Sequence, residues 1–182
     1  NKFSIFGPLQ LKKNSENLLQ SKNLKLKAKN ILSLVLCVLF TLCVGAVSGV
    51  ATASGINGWF MALNKPFFNP PNYLFGPVWT ALYILMGISF YMVLQAPASV
   101  VRKNAVAIFL VQLFLNFCWS FIFFKYQLLG WALVEIICIW LSIVTMIIIF
   151  SKINKTAAAL QIPYLLWVTF ASILNGAIWW LN

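Results

Sequence analysis

The stretch ILSLVLCVLFTLCVGAVSGVATA, from Ile31 to Ala53, has 23 residues and no charge. A helix needs about 20 apolar residues to cross the hydrocarbon core of a bilayer. Four further runs are long enough: Leu74–Gln95, Asn104–Phe124, Leu128–Phe150 and Ala158–Leu181. They are continuous, whereas the strands of a membrane barrel are about ten residues long and alternate. Because every backbone amide in hydrocarbon needs an internal partner, we predict an all-α bundle of five transmembrane helices.

The composition agrees with this class of protein. The chain has 182 residues, of which 62% are hydrophobic and 8% charged, and its mean hydropathy is +0.92. A soluble domain carries about a quarter of charged residues. We therefore expect residues 31–182 to form a membrane domain.

Residues 1–30 are basic and are predicted to be disordered near anionic lipid or to form a leader-like segment. The lack of arginine in these residues favours the first alternative.

The basic residues predict how the spans are oriented. Seven lysines precede the first run, and two pairs, Arg102 with Lys103 and Lys152 with Lys155, follow the second and fourth runs. These eleven residues share one side, whereas Lys65 and Lys125 lie on the other. The positive-inside rule then places the N-terminus inside and the C-terminus opposite. The rule does not distinguish a bacterial membrane from that of an organelle. Basic residues at span ends are topology signals, so nucleic acid is excluded as a partner.

The residues that usually carry metal or acid–base chemistry are scarce. The chain has no histidine, and Cys37, Cys43, Cys118 and Cys138 all fall inside apolar runs. The cysteine spacings do not match a metal site, so we interpret them as packing residues. No metal and no obligatory cofactor are predicted. Without a catalytic constellation, the sequence favours a protein that is not an enzyme.

Polar and aromatic residues recur on one face of each span. We expect four faces to look inward, because lipid does not solvate amides or a carboxylate. They are Trp79, Tyr83, Met86 and Phe90; Gln112, Asn116, Trp119, Ser120 and Phe123; Trp131, Glu135, Cys138, Ser142 and Thr145; and Trp167, Ala171, Asn175 and Ile178. Interhelical hydrogen bonding and a ligand site both explain such faces. Glu135, the one acid beyond the tail, is either a structural acid or a ligand or ion group.

Small residues form a stripe on the first span. Thr41, Gly45, Ser48, Gly49 and Thr52 follow helical spacing, and Gly45 and Gly49 are four residues apart. Small residues let two helix backbones approach closely. The stripe is predicted to pack against a neighbouring helix of the bundle or to form a dimer interface.

Four motifs resemble those of one family. They are WFMALNKPFFNPPNYLFGPVWTALYILMG at Trp59–Gly87, QLFLNFCWSFIFF at Gln112–Phe124, GWALVE at Gly130–Glu135 and PYLLWVTFASILN at Pro163–Asn175. In this order, and over residues 31–182, the chain resembles the TspO/translocator protein family, also called tryptophan-rich sensory proteins or peripheral benzodiazepine receptors. The basic tail is not covered.

The resemblance implies a five-helix bundle, often a homodimer, that binds porphyrins such as protoporphyrin IX, haem-related tetrapyrroles and benzodiazepine-type drugs. By motif, it places seven residues in the ligand pocket: Trp79, Tyr83, Asn116, Trp119, Trp131, Trp167 and Ala171. Trp79 and Trp167 match the pair associated with light- and oxygen-dependent porphyrin breakdown in bacterial members. The stretch ILNGAIWWLN lacks the tyrosine and basic residue of the animal cholesterol motif. Recognition of sterols through that motif is therefore not expected.

The loop between the first two spans is predicted to be a partly helical lid over this pocket. It contains Trp59, Lys65, Pro66, Pro70 and Pro71, and its prolines limit the entropy lost when it is ordered. Lys65 at the rim could pair with a ligand carboxylate. Phe67, Phe68 and Tyr73 are predicted to close over the mouth. The alternative is a rigid connector with a solvated Lys65.

These features predict a membrane receptor or sensor whose ligand is a tetrapyrrole or a similar lipophile. Because no histidine is present to bind haem iron, a metal-free ring is the expected preference. The alternatives are porphyrin breakdown by tryptophan photochemistry and transport of porphyrin or sterol-like ligands. We find no inverted repeat and no pair of broken helices, which disfavours alternating access. A purely structural protein leaves the inward aromatic and polar faces unexplained.

Overall fold

A computed structural model describes residues 6–56 and 58–182 and divides the chain into two units, residues 1–36 and Cys37–Asn182. Helix α1, Phe6–Ile56, begins in the first unit and continues into the second. The described backbone of the tail is therefore helical. Lysine and leucine, both good helix formers, are frequent there. Disorder of this tail near anionic lipid stays a prediction. The boundary at residue 30 and the leader-like role remain predictions.

The regular secondary structure in the described residues of the second unit is all helical. After α1 come α2 (Trp59–Ala62), a 3-10 turn (Asn72–Leu74), α3 (Phe75–Leu94) and α4 (Val100–Ser120), which continues into a π-helical turn (Phe121–Lys125). The last three are α5 (Leu129–Ser151), α6 (Lys155–Ala159) and α7 (Ile162–Leu181). Among all the described residues of the chain, five segments are long and apolar enough to cross a membrane: Leu26–Ala53, Asn72–Leu94, Val100–Lys125, Leu129–Ser151 and Lys155–Leu181. The prediction of an all-α, five-span membrane protein is confirmed.

Local signals explain where several helices begin. Ser99 accepts a hydrogen bond from the Arg102 amide at 3.1 Å, and Asn154 accepts one from the Ala157 amide at 3.0 Å, as N-cap side chains do. The fifth span is interrupted, contrary to the single run predicted for Ala158–Leu181. A turn at Leu160 and Gln161 separates α6 from α7, whose first turn contains Pro163. Proline disfavours helix at the residue before it but is well suited to a first turn.

The aromatic core lies at one end of the second unit, where α3 ends and α4 begins. Phe90 stacks on Phe109 with ring centroids 4.1 Å apart, and Phe109 stacks on Phe150 of α5 at 6.4 Å. Ser89 donates a hydrogen bond to the Ala157 carbonyl of α6 at 2.7 Å. A second buried cluster, which includes Phe60, Phe123 and Phe124, lies at the other end, next to the loop between α1 and α3.

Helices α1 and α3 approach closely at two small residues. A β-carbon added to Gly87 would lie 2.6 Å from Val38 Cα and 2.8 Å from Thr41 Oγ1, and one added to Gly45 would overlap the Tyr83 ring. Thr41 Oγ1 also donates a hydrogen bond to the Tyr83 carbonyl at 2.7 Å. Thr41 and Gly45, the first part of the small-residue stripe, therefore pack against α3, whereas Ser48, Gly49 and Thr52 line the cavity described below. A dimer interface on this stripe stays a prediction.

Substitution of Gly87 by alanine tests this contact. We expect Gly87→Ala to lower the free energy of unfolding by about 1–3 kcal/mol, because the nearest obstacle is backbone and a helix must move. Gly49→Ala is the matched control, since no atom lies within 4 Å of its added β-carbon. There the helix propensity of alanine should leave stability unchanged or slightly higher. Thermal unfolding in one detergent compares the two. Equal losses would contradict the close approach.

Candidate ligand-binding cavity

A cavity of about 560 Å³ opens within the second unit, between α1, α3, α4 and α7. From α1 it is lined by Leu42, Gly45, Ala46, Ser48, Gly49, Thr52 and Ala53. From the 3-10 turn and α3 it is lined by Asn72, Phe75, Gly76, Trp79, Thr80 and Tyr83. From α4, the π turn and α7 it is lined by Asn116, Trp119, Ser120, Phe124, Trp167 and Ala171. Its size and apolar lining are typical of small-molecule sites.

Aromatic rings form much of the cavity wall and support one another. Trp79 packs on Tyr83 with centroids 5.7 Å apart and meets Tyr164 edge-on at 6.2 Å. Trp167 meets Phe75 edge-on at 6.0 Å, while Trp119 meets Phe124 edge-on at 6.0 Å. Such edge-to-face pairs add to the burial energy and fix ring orientation. The cavity thus offers indole and phenol rings already held in place.

A chain of hydrogen bonds lies behind this wall and joins three helices. Tyr83 Oη donates to Asn116 Oδ1 at 2.5 Å, and Asn116 Nδ2 donates to Tyr164 Oη at 3.1 Å. These lengths fit the O–H···O and N–H···O types respectively, which supports this orientation of the amide. All three side chains are buried, and Tyr164 is completely so. The network therefore fixes the inner edge of the cavity.

The π turn at the end of α4 shapes the same side. Phe121–Lys125 contains one residue more per turn than an α-helix, and the Tyr126 amide donates to the Phe121 carbonyl at 2.8 Å. Phe123 and Phe124 are both buried, and both pack against Trp119. Such turns are frequent at functional sites. The sequence carries no clear signal for it.

Six of the seven predicted ligand residues line one cavity: Trp79, Tyr83, Asn116, Trp119, Trp167 and Ala171. Trp131 does not. Its side chain is 69% exposed and lines a separate shallow groove with Trp179, because the buried face of α5 begins one residue later at Ala132. Cys138 and Thr145 on the same stripe are also exposed, so the inward face predicted for the fourth span is wrong. The predicted inward faces of the other three spans are buried or half-buried.

The predicted lid residues lie outside the cavity lining. Lys65 Nζ donates to the Met61 carbonyl at 3.1 Å and lies 5.0 Å from the centre of the Phe60 ring. Trp59 packs edge-on against Phe123 at 5.8 Å. Pro66, Pro70 and Pro71 do not line the cavity, whereas the next residue, Asn72, does. Phe67 and Tyr73 are exposed and do not close over the mouth, so that part of the prediction is wrong.

The loop is nevertheless fixed at one point. The side chain of Asn182 pairs with the backbone of Asn64, accepting from its amide at 2.9 Å and donating to its carbonyl at 3.0 Å. Asn182 Nδ2 also donates to the Ile178 carbonyl of α7 at 2.8 Å. At the other end of the loop, Gly76 is helical and Pro77 lies in the first turn of α3, where the missing N–H of proline costs no hydrogen bond.

Residues 37–181 match the model of the TspO/MBR family. The chain belongs to the TspO/MBR family. It is 41% identical over 155 residues to the tryptophan-rich protein TspO of Chlorobaculum tepidum, covering 85% of this chain and 98% of that protein. It is also 41% identical over 153 residues to the tryptophan-rich protein TspO of Archaeoglobus fulgidus. That match covers 84% of this chain and 99% of the relative. The human translocator protein is 35% identical over 123 residues, which are 66% of this chain and 73% of that protein.

Sequence reasoning missed several residues of this TspO/MBR cavity. Ser48, Thr52 and Thr80 contribute hydroxyl groups to the lining, and Tyr164 supports Trp79 and Asn116 from behind. A signal existed for Tyr164, since it precedes Trp167 by three residues and therefore shares its helix face. Ser48 and Thr52 were recognised only as small packing residues. Their place in the wall depends on where α1 and α3 separate.

Removal of the central amide tests the network. We expect Asn116→Leu to lower the free energy of unfolding by about 2–4 kcal/mol, because it leaves the buried Tyr83 and Tyr164 hydroxyls without partners. Tyr164→Phe removes only one hydrogen bond and should cost about 1 kcal/mol. Chemical or thermal unfolding in the same detergent measures both. A smaller effect for Asn116→Leu than for Tyr164→Phe would contradict the network.

Proposed function

We propose that this protein is a membrane receptor or sensor that binds tetrapyrroles and other flat lipophilic molecules in the cavity between α1, α3, α4 and α7. The observation that carries the proposal is the convergence of Trp79, Trp119 and Trp167, from three helices, on one cavity with Tyr83. A tetrapyrrole is a wide apolar ring that needs stacking surfaces and a few polar anchors. The names of relatives, translocator protein and tryptophan-rich sensory protein, agree with this class of role.

The cavity lining supports a neutral, apolar ligand body. Its nineteen residues include no acidic or basic side chain, and Leu42, Ala46, Phe75 and Phe124 contribute apolar surface. Two indole N–H groups, those of Trp119 and Trp167, have no hydrogen-bond partner among the described residues. Buried donors of this kind are costly unless something accepts their hydrogen bonds. A ligand carbonyl or carboxylate would supply that acceptor.

Light-dependent porphyrin breakdown is the second candidate. It is favoured by one observation: Trp79 and Trp167, the pair associated with this activity by family resemblance, line the same cavity on facing helices. Tryptophan-mediated photochemistry with dioxygen as the oxidant would require no histidine and no carboxylate. Illumination of the bound complex separates this activity from binding alone.

The binding proposal is tested by titrating the purified protein with protoporphyrin IX and following tryptophan fluorescence in darkness. We expect Trp79→Phe and Trp167→Phe to raise Kd by about fivefold to thirtyfold, since each removes part of a stacking surface. Trp131→Phe is the matched control and should change Kd by less than about twofold, because Trp131 lies outside the cavity.

Three outcomes are informative. Equal affinities for the Trp79, Trp167 and Trp131 variants would refute the cavity as the site. Bleaching of the porphyrin in light that is lost in the Trp79 and Trp167 variants, but kept in the Trp131 variant, would support breakdown. Stable porphyrin under illumination would leave a receptor or sensor as the function.

We further propose that the loop of residues 63–74 controls access to the cavity. Its link to α7 through Asn64 and Asn182 supports this role, because Asn72 at the far end of the loop contributes to the cavity wall. Asn182→Ala should increase the rates of porphyrin association and dissociation by about threefold to tenfold with little change in Kd. Stopped-flow fluorescence measures both rates, and Asn104→Ala is an exposed control. Unchanged rates would refute the role of the link.

A further inference from the structure

Four hydroxyl groups line the cavity wall formed by α1 and α3, and the hydrogen bond that each donates is defined. On α1, Ser48 Oγ donates to the Val44 carbonyl at 3.0 Å and Thr52 Oγ1 donates to the Ser48 carbonyl at 3.1 Å. Both acceptors are carbonyls of the same helix, four residues earlier. This is a common arrangement of serine and threonine in helices.

The two hydroxyl groups on α3, those of Thr80 and Tyr83, also donate their protons to acceptors within the protein. Thr80 Oγ1 donates to the Gly76 carbonyl at 2.9 Å, again within its own helix. Tyr83 Oη donates across to Asn116 Oδ1. A hydroxyl carries one proton and two lone pairs. With all four protons engaged, these groups offer the cavity acceptors and not donors.

Donating one of these hydroxyl protons to a ligand would break a hydrogen bond that already exists within the protein. A threonine that releases its carbonyl to donate to a ligand exchanges one hydrogen bond for another and gains nothing. Tyr83 would in addition leave Asn116 Oδ1 buried and unsatisfied, which is unfavourable. A ligand that brings its own N–H or O–H group adds a hydrogen bond and breaks none within the protein.

The four acceptor oxygens are neutral, so they favour a ligand whose donor group is also neutral. The cavity-lining residues include no carboxylate, so nothing there offsets the desolvation of an ammonium group. A pyrrole N–H, a phenol or an alcohol on a flat ring system meets both conditions. An amine that is charged at neutral pH does not.

We propose that the α1–α3 wall is an acceptor surface, formed by the oxygens of Ser48, Thr52, Thr80 and Tyr83, that selects flat lipophilic ligands with a neutral N–H or O–H group. This inference rests on the cavity being a ligand site, as proposed above. It adds that, of two ligands with the same shape, the one that donates a hydrogen bond to this surface binds with the higher affinity. It also assigns Asn116 and Tyr164 as positioning residues that hold the Tyr83 proton away from the ligand.

Two probes that differ by one O–H group test the selection. 1-Hydroxypyrene and 1-methoxypyrene have the same flat ring system, but only the first donates a hydrogen bond. Energy transfer from the tryptophans to the bound pyrene measures each affinity directly, after correction for partition into detergent. We expect 1-hydroxypyrene to bind about fivefold to tenfold more tightly, the ratio of affinities that one hydrogen bond supplies.

Variants of the wall show where the preference arises. The triple variant Thr52→Val, Thr80→Val, Tyr83→Phe removes three of the four acceptor oxygens with little change in side-chain shape. The quadruple variant, which adds Ser48→Ala, removes the fourth acceptor oxygen. The affinity ratio should fall stepwise toward one. Thr145→Val is the matched control, because Thr145 makes the same bond to a carbonyl four residues earlier, at 2.9 Å, on an exposed face of α5. It should keep the wild-type ratio.

Binding of 1-methoxypyrene to each variant shows that the cavity is intact, so a folding defect is recognised separately. A ratio near one in the wild type, or a wild-type ratio retained by the quadruple variant, would overturn the proposal. Failure of protoporphyrin IX to bind, with a clear preference for 1-hydroxypyrene, would refute the tetrapyrrole as ligand but support the acceptor surface. If neither pyrene binds, both the cavity as a ligand site and the acceptor surface are refuted.

Discussion

Tyr83 is the residue on which the arrangement of the bundle around the cavity depends. Its carbonyl accepts the hydrogen bond of Thr41 from α1, its ring lies against Gly45, and its hydroxyl begins the chain through Asn116 to Tyr164. Helices in a bilayer gain little from burying apolar surface against one another, so close packing and interhelical hydrogen bonds hold them together. Tyr83 supplies both kinds of contact, to α1 and α4 directly and to α7 through Asn116, and its side chain is also part of the cavity wall.

That double role explains why the cavity is stable although it is empty of protein atoms. The opposite end of the unit is filled by Phe90, Phe109 and Phe150, which pack face to face. Around the cavity, rings instead meet at edges, as Trp79 does with Tyr164 and Phe75 with Trp167. The three tryptophans of the wall also contact rings outside the cavity: Trp79 contacts Tyr164, Trp119 contacts Phe123 and Trp167 contacts Phe170. The hydroxyl groups of Ser48, Thr52, Thr80 and Tyr83 donate their protons within the protein, whereas the indole N–H groups of Trp119 and Trp167 are donors without a partner among the described residues.

Trp131 and Trp167 show how far motifs can be taken as guides to a site. Both belong to motifs by which the chain resembles its family, and both share a stripe with small or polar residues. Only Trp167 lines the cavity, since the buried face of α5 begins at Ala132 and turns Trp131 outward. A difference of one residue is about 100° on a helix, which is enough to move a side chain from the buried face to the exposed face.

The sequence alone determined the five spans, their helical state, the family and the faces of three helices, because hydrocarbon imposes internal hydrogen bonding and periodicity shows which residues share a face. Hydropathy and periodicity act within one segment. They do not specify how α1 and α3 separate beyond Gly45, which hydroxyls then line the gap, or where Lys65 and the prolines of the loop lie. Those depend on contacts between residues far apart in the chain, such as Thr41 with Tyr83 and Asn64 with Asn182. Only the tertiary structure decided them, because only there do the backbones approach closely enough for one helix to set the position of another.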